Sequence, residues 1–151
     1  MRRVVLIVAA AVILAASPWS AAFPMKAMDE AREAQFLLDR GLEHLKAGRL
    51  DQAITELTKC LEKHPKFYKA YLGRGQAYLR QGQPDKAIAD FTEVIKQNPN
   101  IPAAHFHRAR AYFGKKDYGQ AWADVEQAQK KGFQVPEEFL GKLRQASGRQ
   151  K

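Results

Sequence analysis

The strongest constraint on the fold of this chain is a sequence repeat, whose period is the interval from Gly41 to Gly75. Four residue types recur at that spacing. They are Gly41 and Gly75; Ala53, Ala87 and Ala121; Pro65 and Pro99; and Arg40, Arg74 and Arg108. A period of this length predicts an array of similar supersecondary units, because each unit must present one short set of packing positions to its neighbours.

Each unit of the repeat predicts two helices, and the second unit shows them best. Its first helix is predicted over residues 67–81, ended by Gly82 as a left-handed C-cap. Its second helix is predicted over residues 84–97, because Pro84 favours a helix start and Pro99 prevents continuation. One pair of helices cannot bury its own apolar face, so successive pairs must stack. The three units are residues 34–67, 68–101 and 102–135.

The residues at the repeating positions resemble the tetratricopeptide repeat (TPR) family. The second unit matches the family pattern with Tyr71, Gly75, Tyr78, Ala87, Phe91 and Pro99. The third unit departs most, with Ala109 in place of glycine, Val125 in place of an aromatic residue and Phe133 in place of proline. The resemblance covers residues 34–135 and implies an all-α, right-handed solenoid of three helix-turn-helix repeats that binds other proteins without catalysis.

Two segments flank the repeats. Residues 23–33 form a lead-in to the first unit. Residues 136–146 predict one more helix, which Pro136 opens and whose apolar side covers the third unit as a capping helix. Residues 147–151 are expected to fray.

Charged residues of opposite sign stand at two fixed positions of every unit. Arginine occupies the seventh position, and glutamate or aspartate occupies the twenty-third. This pattern predicts an ion pair between the two helices of each unit, rather than a basic ladder for a ligand. The predicted pairs are Arg40 with Glu56, Arg74 with Asp90, and Arg108 with Asp124.

The resemblance also implies a concave groove lined by the first helix of each unit. Most of the predicted groove residues are apolar, with basic residues beside them. The predicted ligand is therefore a protein or peptide segment with apolar anchors and some acidic character. The alternative is that another helix of the same chain, such as the stretch from Asp29, fills part of the groove. The predicted groove residues are Leu38, Leu42, Lys69, Leu72, Gln76, Leu79, Arg80, Phe106, His107, Arg110 and Phe113.

Two expectations concern the groove residues themselves. Phe106→Glu is expected to abolish partner binding and to leave helicity intact, on the premise that concave residues contribute little to the core. The carboxylate clamp of co-chaperone relatives is not expected, because the matching positions lack its lysine, asparagine and arginine residues. Those positions hold Leu38, Leu42, Gly73, Ala103 and His107.

The sequence does not predict an enzyme, a metal site or a cofactor. His105 and His107 are two residues apart, so on a helix they point in nearly opposite directions and cannot chelate one ion. Cys60 is the only cysteine and takes a packing position. No nucleophile–base arrangement or phosphate-binding glycine loop is visible in the sequence.

The N-terminal segment, residues 1–22, resembles a secretory signal peptide. Arg2 and Arg3 precede the apolar run of residues 4–16, and small residues at 20–22 suit cleavage after Ala22, with cleavage after Ala27 as the second choice. The competing reading is a retained inner-membrane anchor over residues 4–25. Either reading predicts export of the repeats, with the bacterial periplasm as their compartment.

Taken together, the sequence predicts a periplasmic adaptor or assembly factor that captures a peptide segment in its groove. Two alternatives remain: a membrane-anchored scaffold that self-associates through its end faces, and a binder of polyanions (a glycan or nucleic acid) through its basic surface. The net charge of +9 favours acidic partners in general. Nucleic acid is not expected, because the basic residues do not alternate with aromatic ones.

Overall fold

The computed structural model describes residues 18–149 of the chain. That part contains seven helices and no strands, which confirms the predicted all-α class. Residues 1–17, which hold most of the predicted signal segment, lie outside the described residues. The helices are α1 (Pro18–Lys46), α2 (Leu50–Lys63), α3 (Tyr68–Arg80), α4 (Pro84–Gln97), α5 (Pro102–Gly114), α6 (Tyr118–Lys130) and α7 (Glu137–Ser147).

The helices form three antiparallel pairs that stack along the chain. The pairs are α1 with α2, α3 with α4, and α5 with α6, and each second helix of the first two pairs also contacts the first helix of the next pair. Helices α1, α3 and α5 contact each other in sequence, so the first helices form one continuous face. Both helices predicted for the second unit are confirmed, with α4 over the predicted residues and α3 one residue shorter at each end.

The turn inside each pair depends on a residue with a left-handed backbone. Gly48 and Gly82 take φ values of +74° and +71°, so the predicted left-handed glycine at 82 is confirmed. The third pair places Lys116 at the corresponding position, with φ of 62°. This conformation strains any residue with a Cβ atom. Asp117 offsets part of the strain, because its side chain caps α6 by accepting a hydrogen bond from the Gln120 N–H at 3.2 Å.

Glycine is required where the two helices of a pair cross. A Cβ atom on Gly41 would lie 2.6 Å from Leu57 Cγ, and one on Gly75 would lie 2.7 Å from Phe91 Cε1. Both distances are shorter than van der Waals contact allows. The third unit has Ala109 at this position, and Val125 occupies the space opposite that Phe91 fills in the second unit. The smaller partner leaves room for the methyl group.

The three predicted ion pairs are all present, with different geometry. Arg74 donates two hydrogen bonds to the Asp90 carboxylate, at 2.9 and 2.8 Å. Arg108 donates two to Asp124, both at 2.8 Å. The Arg40–Glu56 pair is looser, with 3.7 Å between Nη2 and Oε1. The repeating arginines therefore pair with acidic residues of their own units.

Helix α7 covers the last pair. Its buried residues Leu140 and Leu143 pack with Ala109, Ala121 and Val125 of the third unit. The indole N–H of Trp122 also donates a hydrogen bond to the Ser147 hydroxyl at 3.1 Å. The helix therefore closes the C-terminal end of the array and leaves a polar outer surface.

Helix α1 is the longest helix and begins before the first repeat. Every residue from Met25 to Glu33 is exposed, and Ala34 is the first buried residue after this stretch. The stretch from Asp29 therefore does not fill the groove, and the helix of the same chain that covers part of it is α7. Among residues 18–149, no helix is long and apolar enough to cross a membrane.

Candidate protein-binding groove

All the predicted groove residues lie on α1, α3 or α5, the helices that form the continuous face. They fall into three classes of exposure. Lys69, Arg80 and Arg110 are exposed, and Leu38 and Phe106 are buried. The half-buried residues are Leu42, Leu72, Gln76, Leu79, His107 and Phe113.

The structure corrects the prediction for Leu38 and Phe106. Leu38 is only 2% exposed and belongs to the core cluster that includes Leu57 and Cys60. Phe106 is 8% exposed, stacks on Phe133 with ring centroids 4.9 Å apart, and meets Phe139 edge-on at 5.5 Å. The premise behind Phe106→Glu was wrong, because a charge at this position would disrupt packing as well as binding.

Residues from the C-terminal segment close the third-repeat end of the face. Phe139 of α7 contacts Phe106 and also lies edge-on to Phe113, with ring centroids 5.6 Å apart. Tyr118 lies on another side of Phe113, at 5.8 Å. Part of the predicted trough is therefore occupied by the chain itself. The signal in the sequence was Phe133, an aromatic residue where the family pattern has proline.

The open part of the face lies on α1 and α3. Leu42 is half-buried against Leu45 and Ala53, and Leu72 and Leu79 are half-buried against the Phe91 cluster. Each of these leucines is anchored in the core and keeps part of its side chain accessible. Lys69 and Arg80 are exposed on the same helix as two of them. The surface combines accessible apolar area with positive charge.

A polar contact joins α3 to α5 in the middle of this face. Gln76 Nε2 lies 3.3 Å from His107 Nε2, and an amide nitrogen can only donate, so the imidazole accepts there. The His107 ring stacks on Phe91, with centroids 5.6 Å apart. His107 Nδ1 is buried and has no hydrogen-bond partner among the described residues.

The positive charge of the face comes from arginine and lysine and not from histidine. Burial, helped by the charges of Arg110 and Arg80, lowers the pKa of His107 to about 4. His107 is therefore neutral at pH 7. Arg80 donates a hydrogen bond to the Leu45 carbonyl at 2.9 Å, and the Arg110 guanidinium lies 6.0 Å from the centre of the Phe106 ring.

None of the three exposed basic residues of the face is neutralised within the described chain. Lys69, Arg80 and Arg110 form no ion pair with an acidic residue among residues 18–149. The arginines of the repeat ladder, by contrast, are paired inside the units. The face therefore carries uncompensated positive charge beside apolar surface.

The polar groups of the core have structural roles. Cys60 is fully buried and donates to the Ala34 carbonyl at 3.1 Å, and burial raises the pKa of its thiol to about 11. His105 Nδ1 lies 3.2 Å from Asp124 Oδ1, inside the third ion pair. Within the described part of the chain, no group of three or more histidine, cysteine or acidic residues is placed to hold a metal ion.

We expect Cys60 to be almost unreactive toward a thiol reagent in the folded protein. A pKa raised to about 11 lowers the thiolate fraction about 100-fold, and burial slows access further. Labelling with a chromogenic disulfide at pH 8 should be at least about 100-fold slower than in denaturant. Labelling at the rate of a free thiol would show that Cys60 is not packed against α1.

The geometry defines a class of protein: a helical-repeat solenoid with one continuous face of first helices available for binding. The family model for the tetratricopeptide repeat matches residues 38–91 and 74–134, which together exceed half of the chain. The chain belongs to the tetratricopeptide repeat family. No curated protein matches it as a relative.

Solved TPR domains have the same fold. The first TPR domain of Spaghetti (RPAP3), bound to the HSP90 peptide SRMEEVD, is 25% identical, with a TM-score of 0.70 over 78% of this chain and 92% of that chain. The Arabidopsis OM64 TPR domain is 19% identical, with a TM-score of 0.73 over 77% and 98%. The TPR2B domain of yeast Sti1, in complex with an Hsp70 peptide, is 22% identical, with a TM-score of 0.69 over 80% and 99%.

Proposed function

We propose that this chain is a non-catalytic adaptor whose first-helix face binds a segment of a partner protein that carries apolar and acidic residues. The observation that carries the proposal is the set of exposed basic residues, Lys69, Arg80 and Arg110, which have no acidic partner in the described chain. Two of them, Lys69 and Arg80, share α3 with the half-buried Leu72 and Leu79. An acidic segment would compensate the charge, and its apolar side chains would cover the leucines.

The site is centred on α3, since the C-terminal segment covers much of the α5 side. A bound segment would contact Leu42 and Leu72 through apolar anchors and would place carboxylates near Arg80 and Arg110. The neutral His107 adds no charge to this site, and its Nε2 is already engaged by Gln76. This arrangement suits a peptide of mixed character and offers no chemistry for cleaving one.

A solved relative supports a peptide ligand of this character. The RPAP3 domain binds the peptide SRMEEVD, which contains three acidic residues together with methionine and valine. This chain would use other contacts for such a ligand. Leu38 and Gly73, at positions of the co-chaperone clamp, are buried, and Leu42, at a third, is half-buried and apolar.

The proposed compartment of this adaptor is the bacterial periplasm. Support comes from the sequence of residues 1–22, with its arginine pair, apolar run and small residues. Retention of residues 4–25 as an anchor would place the same repeats on the outer face of the inner membrane. Mass spectrometry of the protein recovered from bacterial cells would distinguish the two forms by their first residue.

The groove is tested by reversing its charge. Protein carrying Arg80→Glu and Arg110→Glu would be compared with the parent in capture from envelope extract, and the captured partner's affinity would then be measured. Two charge reversals at the binding face should weaken binding at least about tenfold. Lys130→Glu is the matched control, because Lys130 is exposed on α6, away from the groove.

The outcomes separate the candidate functions. Loss of binding in the groove variant alone supports the adaptor. Equal affinities of parent and groove variant would contradict it. If the groove variant and the Lys130→Glu control both bind more weakly than the parent, and modest salt abolishes binding, the ligand would instead be a polyanion.

A further inference from the structure

Helix α1 has two apolar faces, and the array uses only one of them. Its core face carries Ala34, Leu37, Leu38, Gly41 and Leu45, all buried. Met25, Met28 and Phe36 are 65%, 54% and 59% exposed and are the exposed large hydrophobic residues of the described chain. At roughly 100° per residue, these three lie within about 80° of each other, on the side opposite the core face.

The first part of this helix has little support from the rest of the described chain beyond the ion pair of Glu33 with Lys63 of α2, at 2.9 Å. Every residue from Met25 to Glu33 is exposed, so this stretch projects from the array. A helix of about 12–15 residues or fewer is only marginally stable in water without packing. A partner that covers the apolar stripe formed by Met25, Met28 and Phe36 would therefore stabilise this part of α1.

The stripe is complementary to itself when two copies run antiparallel. Along the sequence, the point midway between Met25 and Phe36 lies between residues 30 and 31, and the point midway between Asp29 and Arg32 is the same. In that register, Met25 of one copy faces Phe36 of the other, and Asp29 of each copy faces Arg32 of the other. Asp29 and Arg32 are 73% and 77% exposed and only 3.9 Å apart within one chain, so both remain available for pairing between copies.

We propose that α1 is the interface between two copies of this chain, paired antiparallel about the midpoint between residues 30 and 31. The interface is isologous, as expected for a two-fold dimer. It is independent of the groove proposal, because it uses the face of α1 that points away from the core. The pairing covers the exposed methionines and Phe36 and supports the projecting part of the helix.

Other occupants of the stripe agree less well with its charges. Parallel pairing of two copies would place Arg32 against Arg32 and Asp29 against Asp29. An anionic membrane surface would face Asp29 as well as Arg32, so the stripe offers such a surface no net positive charge. The antiparallel register alone places opposite charges together.

Disulfide trapping tests the register directly. Two full-length copies with different C-terminal tags and with Cys60→Ala would be coexpressed in bacteria, one with Met25→Cys and the other with Phe36→Cys. Mild oxidation should join residue 25 to residue 36 at least about tenfold more than it joins 25 to 25 or 36 to 36. In the proposed register, like residues lie roughly 16 Å apart along the helix, too far for a disulfide.

A matched pair of controls completes the test. Ala89→Cys is exposed on α4 and should not cross-link to Met25→Cys above background. Asp29→Arg and Arg32→Asp should each lower the yield of the 25–36 link several-fold, and the double exchange should restore it. Links dominated by identical residues, yields no higher than those of the Ala89→Cys control, or failure of the double exchange to restore the link would each overturn the proposal.

Discussion

Replacing Gly75 with leucine will unfold the repeat array. A Cβ atom at this position would lie 2.7 Å from Cε1 of Phe91, and the Phe91 ring is completely buried, so it cannot move aside. Overpacking of a core commonly costs about 1–3 kcal/mol, and a full leucine between two helix axes should reach about 3 kcal/mol or more. Because a stacked array shares its interfaces, the loss at the second unit removes support for the first and third.

The measurement is the free energy of unfolding in urea, followed by far-UV circular dichroism. Gly114→Ala is the matched control, because a Cβ atom on Gly114 would meet no heavy atom within 4 Å. It should change stability by less than about 1 kcal/mol. A Gly75→Leu protein that unfolds at the same urea concentration as the parent would show that α3 and α4 do not cross at this residue.

The repeat pattern predicted the helix pairs because the constraints on it are local and periodic. Glycine or alanine at the crossing, the left-handed cap at Gly82 and the arginine–acid positions each depend on residues within one unit. The pairing of Arg74 with Asp90 could be anticipated from their fixed positions in the unit alone. The two helices of each unit pack in the same way, so aligning the three units predicts the helix pair of each.

The groove was harder to predict because its exposure depends on a residue that departs from the repeat pattern and on α7, which follows the repeats. Phe106 takes a position that is concave in this family, yet Phe133 and Phe139 cover it. Phe133 stands where the family pattern has proline, and Phe139 lies on α7, after the last repeat. The sequence likewise offered no indication that residues 25–33 extend α1 as an exposed helix. The segment is too short for its apolar and charged residues to show a clear helical period.

A second large effect is expected at the middle ion pair. Asp90→Ala should destabilise the fold by about 3 kcal/mol, because it leaves the Arg74 guanidinium, whose side chain is 18% exposed, without its carboxylate. Burial raises the pKa of Asp90, and the hydrogen bonds and charge of Arg74 oppose that shift. Urea unfolding of Asp90→Ala beside the parent measures the loss.

The first unit supplies the matched control for that pair. Glu56→Ala removes the equivalent carboxylate, but Arg40 is 47% exposed and lies 3.7 Å away, so water can solvate it after the change. Glu56 Oε2 also has no hydrogen-bond partner among the described residues. The cost should stay below about 1 kcal/mol. Equal losses at Asp90 and Glu56 would contradict the view that burial of the arginine sets the size of the effect.

Removing both partners of the middle pair shows what the pair contributes. Arg74→Met with Asp90→Leu replaces two charged groups by apolar ones of similar size and leaves no unpaired charge. The double variant should therefore be more stable than Asp90→Ala, although it lacks more polar contacts. Such a result would mean that most of the loss in Asp90→Ala comes from the unpaired Arg74 charge, and the difference in stability between the parent and the double variant would measure the net contribution of the pair. A double variant at least as unstable as Asp90→Ala would instead make the pair a net source of stability.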